Sequence, residues 1–463
     1  MNPRAIISRQ YCSLILLLLL LSGCATKSLF SPYPRQAALL RQGLATASTT
    51  AAMARLAQEE EDGDNLLSRL EQGRIKQLAG DYQASSADFR AATSRFDELD
   101  MAATIRGSRL AGLGAALLVN DNALPYEGHG FERIFSHHFQ AYNFLGQNDP
   151  QGAAVELRKA RLEQRVLLEQ HEREVAAAHA RAESEQINID SVAHNFAGLD
   201  TIAGQVKNSL QNGYTFYTSA AFWEAQGDFN AAMVDYKLAY EVNQGSQMLA
   251  ADMARLAWKM GERNQEATFT RREDNEGVLV ILFEEGFVPA RQEVKIPVPT
   301  LTGALITMAF PIYNAHNWPQ GRQLTALDQN GRALAISEEL VDVGVLAVKA
   351  FKEELAPLIV RQTLRAMAKY EMQRQANREA GPLGLFGAMI YTIASENADL
   401  RNWLTLPRSG QGARVYLAAG TQEITLQSGP NQIRIALTVR PGRTTLLRVV
   451  DLGPRLLVQK FPL

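Results

Sequence analysis

The sequence predicts a multidomain α+β protein with a helical N-terminal half and a strand-rich C-terminal half. From about residue 35 to 272, Ala, Leu, Glu, Gln and Arg dominate and prolines are scarce, which is typical of helices. From about residue 274, short apolar runs alternate with turn residues, which is typical of strands. We therefore expect four segments, at 1–23, 24–34, 35–272 and 273–463.

Composition and charge exclude several classes of protein. Hydrophobic residues make up 46% and charged residues 21% of the 463 residues, so the chain can bury a sizeable core. A formal net charge of −2 argues against a nucleic-acid binder that uses a large basic face. No run reaches the roughly 18 to 20 apolar residues of a membrane-spanning helix, so the sequence predicts no integral channel.

The first 23 residues have the layout of a secretion signal. Arg4 and Arg9 precede an apolar run from Leu14 to Leu21, which is too short to span a bilayer. The run leads into Leu21-Ser22-Gly23-Cys24, which resembles the lipobox of bacterial lipoproteins. That resemblance implies cleavage before Cys24, acylation of its thiol and amine, and a firm lipid anchor. An ordinary cleaved signal peptide is the alternative.

The resemblance also implies a location. Ala25 follows Cys24 where an aspartate would signal retention in the inner membrane, so we expect the outer membrane, with the protein on its periplasmic side. Residues 24–34 have the composition of a tether. The other cysteine, Cys12, lies in the segment expected to be removed, so the body of the protein has neither a disulfide nor a cysteine metal site.

The helical half contains a repeated turn. Gly80-Asp81, Gly146 to Asp149, and Gly227-Asp228 each precede a helical pattern. Asp81 and Asp149 are 68 residues apart, twice the period of about 34 that marks tetratricopeptide repeats. The third unit places Tyr214, Tyr217 and Trp223 on its first helix, and we expect these aromatic residues to bind a partner or to join domains. The pattern resembles tetratricopeptide repeats, with a departure at Gln147-Asn148.

A long helical arm is predicted over about 152–187. Val155, Leu162, Val166 and Leu167 begin an apolar stripe, but residues 169–186 are polar on nearly all sides. The arm is interpreted either as a docking element for a partner or as a solvated extension.

The C-terminal half is expected to contain strands around a long helix. Strands are predicted at 277–283, 294–298, 305–310, 324–327 and 333–336, the last two joined at Asn330-Gly331. A helix over about 338–379, with a kink or restart at Pro357, should end at Gly381-Pro382. The apolar segment 383–394 is interpreted as a buried element or as one that touches membrane or other protomers. Residues 413–463 predict a small β-sandwich, with a turn at Gly420-Thr421.

No catalytic, cofactor or metal site is predicted. Gly112-Leu113-Gly114 lies in a helical stretch without the preceding strand of a dinucleotide site. The adjacent His137 and His138 should diverge by about 100° on a helix, so they cannot bind one ion together. Ser409 has no recognisable catalytic partner. Glu284 and Glu285, just before Gly286, could be paired carboxylates, but neighbours on a strand point to opposite faces. We therefore expect them to be solvated in a loop instead.

The segment 398–407 contains Arg401 and Trp403 in a polar context. A tryptophan there is costly unless it is buried or used, so this segment either holds the helix to the sandwich or forms a recognition patch.

Together, the lipobox, the repeated turns and segment 398–407 resemble a family of largely uncharacterised proteobacterial outer-membrane lipoproteins with a tetratricopeptide-like helical half. The resemblance implies a location and an architecture. We expect a non-catalytic scaffold for envelope proteins, anchored to the membrane through Cys24, with no nucleic-acid partner. One alternative is a subunit of an oligomeric export or assembly complex, which would include homo-oligomers. A cell-wall-modifying enzyme is a third, less favoured alternative.

Overall fold

The computed structural model describes residues 33–46, 65–105, 125–262, 268–299, 305–395 and 397–463. The predicted signal segment, Cys24 and Gly112-Leu113-Gly114 lie outside these residues. Within the described ranges, no helix combines the length and the apolar composition that crossing a membrane requires.

The chain is α+β, with a helical N-terminal half and a β-rich C-terminal part that contains several sheets. The helices of the first half are α1 Tyr33–Ala45, α2 Asn65–Leu78, α3 Tyr82–Ile105, α4 Gly130–Gly146, α5 Pro150–Ser184, α6 Asp190–Ala193, α7 Asp200–Ala203, α8 Gly213–Ala225, α9 Phe229–Val242 and α10 Gln247–Lys259. A 3₁₀ helix, His194–Leu199, joins α6 to α7. Helix α1 begins at Tyr33 and therefore includes the last two residues of the predicted tether.

The three repeated turns join consecutive helices into the hairpins α2–α3, α4–α5 and α8–α9. In each turn, one residue with a left-handed backbone precedes an aspartate: Gly80 (φ 86°), Asn148 (φ 58°) and Gly227 (φ 82°). The aspartate side chain then accepts the backbone N–H three residues further on, at 3.1 Å for Asp81, 2.9 Å for Asp149 and 3.0 Å for Asp228. Asn148 tolerates the left-handed conformation better than most residues, so the departure at Gln147-Asn148 preserves the turn.

The strands form two larger sheets and a separate hairpin. They are β1 Glu276–Glu285, β2 Gln292–Pro299, β3 Leu305–Ile312, β4 Thr325–Leu327, β5 Ala333–Ile336, β6 Glu338–Asp342, β7 Ser409–Ala418, β8 Gly420–Ser428, β9 Asn431–Val439, β10 Thr444–Asp451 and β11 Leu456–Pro462. The five-stranded sheet has the order β11-β10-β1-β7-β6, and the four-stranded sheet has the order β5-β4-β8-β9. Strands β2 and β3 pair only with each other among the described strands.

The strands after residue 409 do not form a sandwich by themselves, which corrects the prediction for 413–463. Strand β1 lies between β7 and β10, and β4 pairs with β8, so both sheets combine early and late strands. The cause is the burial of β1 along almost its whole length. Because buried backbone N–H and C=O groups must be hydrogen-bonded, this strand needs a partner strand at each edge. Gly420-Thr421, predicted as a turn, begins β8.

The predicted helix over 338–379 has different bounds. Residues Glu338–Asp342 form β6, and two helices follow, α11 Val343–Glu353 and α12 Leu355–Ser395. The Asp342 side chain accepts the Val345 N–H at 2.9 Å and so fixes the start of α11. The restart predicted at Pro357 occurs at Glu354, and α12 does not end at Gly381-Pro382.

Helix α12 must nevertheless bend. The side chain of Gln362 contacts the Ala309 carbonyl at 3.5 Å, and the N–H of Ala398 donates to Glu293, on the strand paired with that of Ala309, at 2.7 Å. A straight helix from 362 to 395 would span about 50 Å, which is farther than these contacts allow. Proline is the commonest cause of a sharp kink, and Pro382 lies within this span. The C-terminal part of α12, which contains the apolar segment 383–394, therefore returns toward the body.

The helical and strand-rich parts share one apolar core. A single cluster of buried side chains includes Phe139 and Tyr214 from the helices and Leu282, Leu446 and Phe461 from the five-stranded sheet. A second cluster, which includes Ile281, Val415 and Leu426, fills the space between the two larger sheets. One face of the five-stranded sheet therefore packs on the helices and the other on the four-stranded sheet.

Candidate functional site

Helix α8 lies directly on strand β7. A Cβ atom at Gly410 would lie 2.5 Å from Cγ of Tyr214, and one at Gly412 would lie 2.7 Å from Cε1 of Tyr217. Both tyrosines, predicted to bind a partner or join domains, are fully buried at this contact. Trp223, also predicted, is 5% exposed. The glycines of β7 therefore allow the helix and the sheet to approach closely.

A buried charge cluster joins helix α2 to the sheet beside this contact. Arg448 binds Glu284 through two bonds, from Nε to Oε1 at 2.6 Å and from Nη2 to Oε2 at 3.0 Å, and Arg74 donates to the same carboxylate. All three side chains are at most 1% exposed. Glu285 is buried as well and pairs with Arg408. The expectation that these two glutamates are solvated in a loop was wrong, because arginines compensate both charges inside the protein.

An aromatic group covers the cluster. The Arg74 guanidinium lies 4.2 Å from the Phe139 ring centroid, and that of Arg448 lies 4.5 Å from the Tyr142 ring centroid. The His138 ring is fully buried against Tyr142, and neither of its nitrogens has a hydrogen-bond partner among the described residues. Burial, reinforced by the positive charge of Arg74, lowers the pKa of His138 from 6.5 to about 3. The imidazole is therefore neutral at physiological pH.

Two buried glutamates hold the segment around Trp403. The Trp403 N–H donates to Glu132 at 2.7 Å, and the Leu404 N–H donates to Glu71 at 2.9 Å. The Tyr33 hydroxyl donates to Glu71 at 2.7 Å, which ties α1 to the same carboxylate. These contacts hold the segment on helices α2 and α4 of the N-terminal half, and the Trp403 ring is fully buried, which disfavours a recognition patch at Trp403.

Arg401, the other predicted residue of this segment, is engaged close to Trp403. Its guanidinium donates to Asp399 at 2.9 and 2.8 Å and lies 5.5 Å from the Tyr126 ring centroid. It is therefore part of the same inward-facing arrangement.

A second cluster links helices α8 and α10 to β7. Arg414 contacts Asp252 at 2.7 Å and Glu224 at 3.1 Å, and Arg255 also pairs with both acids. Burial alone would raise the pKa of Glu224, but the two arginines outweigh it and hold that pKa at about 2. Tyr236 adds a hydrogen bond to Glu224 at 3.0 Å. Opposite charges therefore balance within this cluster.

His137, considered above for a metal site, and His129, at the start of α4, have different partners. His137 Nδ1 lies 2.6 Å from Glu156, whereas His129 lies between Glu354 at 3.2 Å and Arg291 at 2.7 Å. In the ranges that the structure describes, no group of three His, Cys, Asp or Glu side chains is placed to bind a metal ion. Ser409 begins β7 and accepts a hydrogen bond from Arg408 at 3.1 Å.

A shallow groove on the outer side of the helices is open to solvent. It has a volume of about 470 Å³ and is lined by Lys237, Tyr240, Glu241, Gln244 and Met253, from α9, α10 and the loop between them. We call it the α9–α10 groove. Val234, one turn before Lys237 and 49% exposed, extends the same side of α9. An open groove of mixed polarity suits a protein segment better than a small molecule, which is normally enclosed.

Sequence reasoning missed Arg74, Glu71 and Arg448. A single arginine inside the apolar run of β10 is a signal that could have identified Arg448, because such a charge must be compensated when it is buried.

Comparisons of the chain with protein-family models, with curated proteins and with solved structures find no match.

Proposed function

We propose that this chain is a lipid-anchored outer-membrane lipoprotein that faces the periplasm and acts as a non-catalytic protein–protein interaction scaffold in cell-envelope assembly. The lipobox at Cys24 and the following Ala25 support the anchor and the location. The common turn of the three helical hairpins supports a tetratricopeptide-like solenoid, and the resemblance to uncharacterised proteobacterial lipoproteins belongs to the same proposal.

The observation that carries the scaffold role is that one side of the helical layer packs on the sheet, whereas the other side is exposed to solvent. Helices α2, α4 and α8 pack their inner faces on the five-stranded sheet, through Arg74, Tyr142 and Tyr214. The outer helices keep apolar side chains exposed, and the α9–α10 groove lies on that outer side. Solenoid proteins bind partners through extended surfaces. In this chain the outer surface is the one left for an envelope protein.

The α9–α10 groove can be tested by photocrosslinking in cells. A photoreactive amino acid at Glu241 should capture one envelope protein in the membrane fraction, whereas the same probe at the exposed Glu423, on the opposite side of the fold in the four-stranded sheet, should not. Val234→Glu should weaken capture at 241, because a charge replaces an apolar contact. Equal capture at both positions, or none at 241, would count against this role.

The anchor has an independent test. An alkyne analogue of palmitate should label the wild-type protein and not Cys24→Ala, and the labelled protein should fractionate with the outer membrane. An unlabelled wild-type protein would refute the lipid anchor.

The second candidate is a subunit of an oligomeric export or assembly complex. The helical conformation of the apolar segment 383–394, at the C-terminal end of α12, favours it, because an apolar helix can pack between protomers. Gly387→Asp should then remove a species of high mass from native gels. A wild-type protein that is monomeric in mild detergent would exclude this candidate.

A further inference from the structure

Helix α5 has an apolar stripe on its outer face. Val155 and Leu162 are each 48% exposed and Val166 is 39% exposed, although large apolar side chains are normally buried. On the opposite side of the helix, Gln164 is 7% exposed and accepts the Asn212 N–H at 2.8 Å. Gln164 therefore points into the protein, and the outward direction is the one opposite to it.

The exposed side chains before Gln164 are complementary to those at equal distances after it, so the helix face matches an antiparallel copy of itself. Successive residues of an α-helix turn by about 100°, so positions equally far before and after Gln164 lie symmetrically about the outward direction. Leu162 and Val166 form one such pair, and Lys159 and Glu169 form another. An apolar residue is thus matched with an apolar residue, and a cation with a carboxylate.

We propose that two copies of this chain associate through the outer faces of their α5 helices, antiparallel and about a twofold axis opposite Gln164. In this arrangement Leu162 contacts Val166 of the other copy, and Lys159 pairs with Glu169 of the other copy. Val155 meets Arg173, whose aliphatic stem packs on an apolar side chain while its charge remains in water. Each contact occurs twice, as the twofold axis requires.

Charge favours a second copy over an anionic membrane as the occupant. The exposed outer face carries Arg158, Lys159 and Arg165, but also Glu169 and, further along, more acids. A lipid surface would attract the cations and repel the acids, whereas a second copy pairs them. The interface comprises one helix face per copy, at the low end of specific interfaces, so we expect weak association. The proposal does not depend on the α9–α10 groove or on the lipid anchor.

Disulfide trapping of the purified full-length protein tests the register. Cys12 and Cys24 are the only cysteines of the sequence, so Lys159→Cys/Glu169→Cys adds the only pair within the folded body. The two positions are about 15 Å apart on one helix, too far for a disulfide within one copy. Mild oxidation should therefore produce covalent dimers, while each single variant should give few, because 159 is not opposite 159.

The matched control is Lys159→Cys/Ala180→Cys. Ala180 is exposed on the same stripe but lies eleven residues beyond Glu169, which is about 16 Å out of register. Dimer yield in the control should fall at least about fivefold below that of the 159/169 pair if cysteines must lie within disulfide reach. Equal yields in the two variants, or no dimer from the 159/169 pair, would overturn the proposal.

Charge reversal gives a second test that does not depend on cysteine chemistry. Lys159→Glu and Glu169→Lys should each weaken association about tenfold, because two ion pairs per dimer become repulsive. An equal mixture of the two variants should recover wild-type affinity, because both contacts are then between opposite charges. Sedimentation in density-matched detergent from about 1 µM to about 1 mM covers the range of weak complexes.

Two outcomes of this second test would overturn the proposal. One is a mixture that associates no better than the separate variants. The other is a protein that stays monomeric throughout and binds phosphatidylglycerol vesicles in a way that Lys159→Glu weakens, which would assign the α5 face to lipid. Unchanged circular dichroism of both variants shows that a loss of association is not a loss of folding.

Discussion

Replacing His138 with phenylalanine should stabilise the protein, and increasingly so as the pH falls. The His138 ring is fully buried among aromatic rings, including those of Phe135, Phe139 and Tyr142, so phenylalanine preserves the ring packing. It also removes two buried nitrogens that have no hydrogen-bond partner among the described residues. An unsatisfied buried polar group costs about 1–3 kcal/mol, so His138→Phe should raise the free energy of unfolding at neutral pH by up to that amount.

The pH dependence follows from proton binding to His138. Its pKa is 6.5 when exposed and about 3 in the folded protein. Between these values the unfolded chain binds a proton that the folded chain does not, so stability falls as the pH falls from 6.5 to 3. Each pH unit below 6.5 lowers the free energy of unfolding by about 1.4 kcal/mol, so at pH 4.5 the wild type should have lost about 2.7 kcal/mol through this group. His138→Phe has no titrating group at this position and should not lose this part of its free energy of unfolding.

Guanidinium unfolding of both proteins at pH 7.5 and 4.5, followed by tryptophan fluorescence, measures the difference. Other titrating groups are common to both chains and cancel, so the advantage of the variant should grow by about 2.7 kcal/mol between the two pH values. His179→Phe, at an exposed position of α5, is the control and should change neither value. An advantage that does not vary with pH would refute the buried, neutral state of His138.

Three further predictions concern the contacts that hold the parts together. Arg448→Met should lower the free energy of unfolding by about 3–5 kcal/mol, because the Glu284 carboxylate loses its bidentate partner; denaturant unfolding measures this, and a loss below 1 kcal/mol would show that Arg74 alone suffices. Gly412→Ala should cost about 1–3 kcal/mol in the same assay, since the new methyl group would lie 2.7 Å from the Tyr217 ring. Asp228→Ala removes an N-cap and should cost about 1 kcal/mol, seen as a lower thermal midpoint, whereas Asp228→Asn should preserve most of it.

The local features of the fold could be predicted from the sequence because their causes are local. The turn at Gly227-Asp228 needs a residue that tolerates a left-handed backbone and a side chain that caps the next helix, and both are adjacent in the sequence. The same holds for Asn330-Gly331, which joins β4 and β5 as expected. These signals act within four residues and do not depend on the rest of the chain.

The remaining features have distant causes. Glu284 is paired rather than solvated because of Arg74, which is 210 residues away, and Arg448, which is 164 residues away. The position of β1 between β7 and β10 also depends on partners that are distant in sequence. Residues 338–342 directly precede the helical apolar spacing that begins at Val345, and their strand conformation follows from pairing with β7 and from the cap at Asp342.

The buried charges also bear on where a partner can bind. A buried ion pair contributes little net stability, but an unpaired partner is strongly destabilising. Arg74 on α2 and Arg448 on β10 are both compensated only when Glu284 of β1 lies between them, so this cluster favours one alignment of helices and sheet. The sheet therefore occupies the inner side of the helical layer as a fixed part of the fold. For the scaffold role proposed above, this leaves the outer helices as the surface for a partner, and the α5 stripe and the α9–α10 groove lie there.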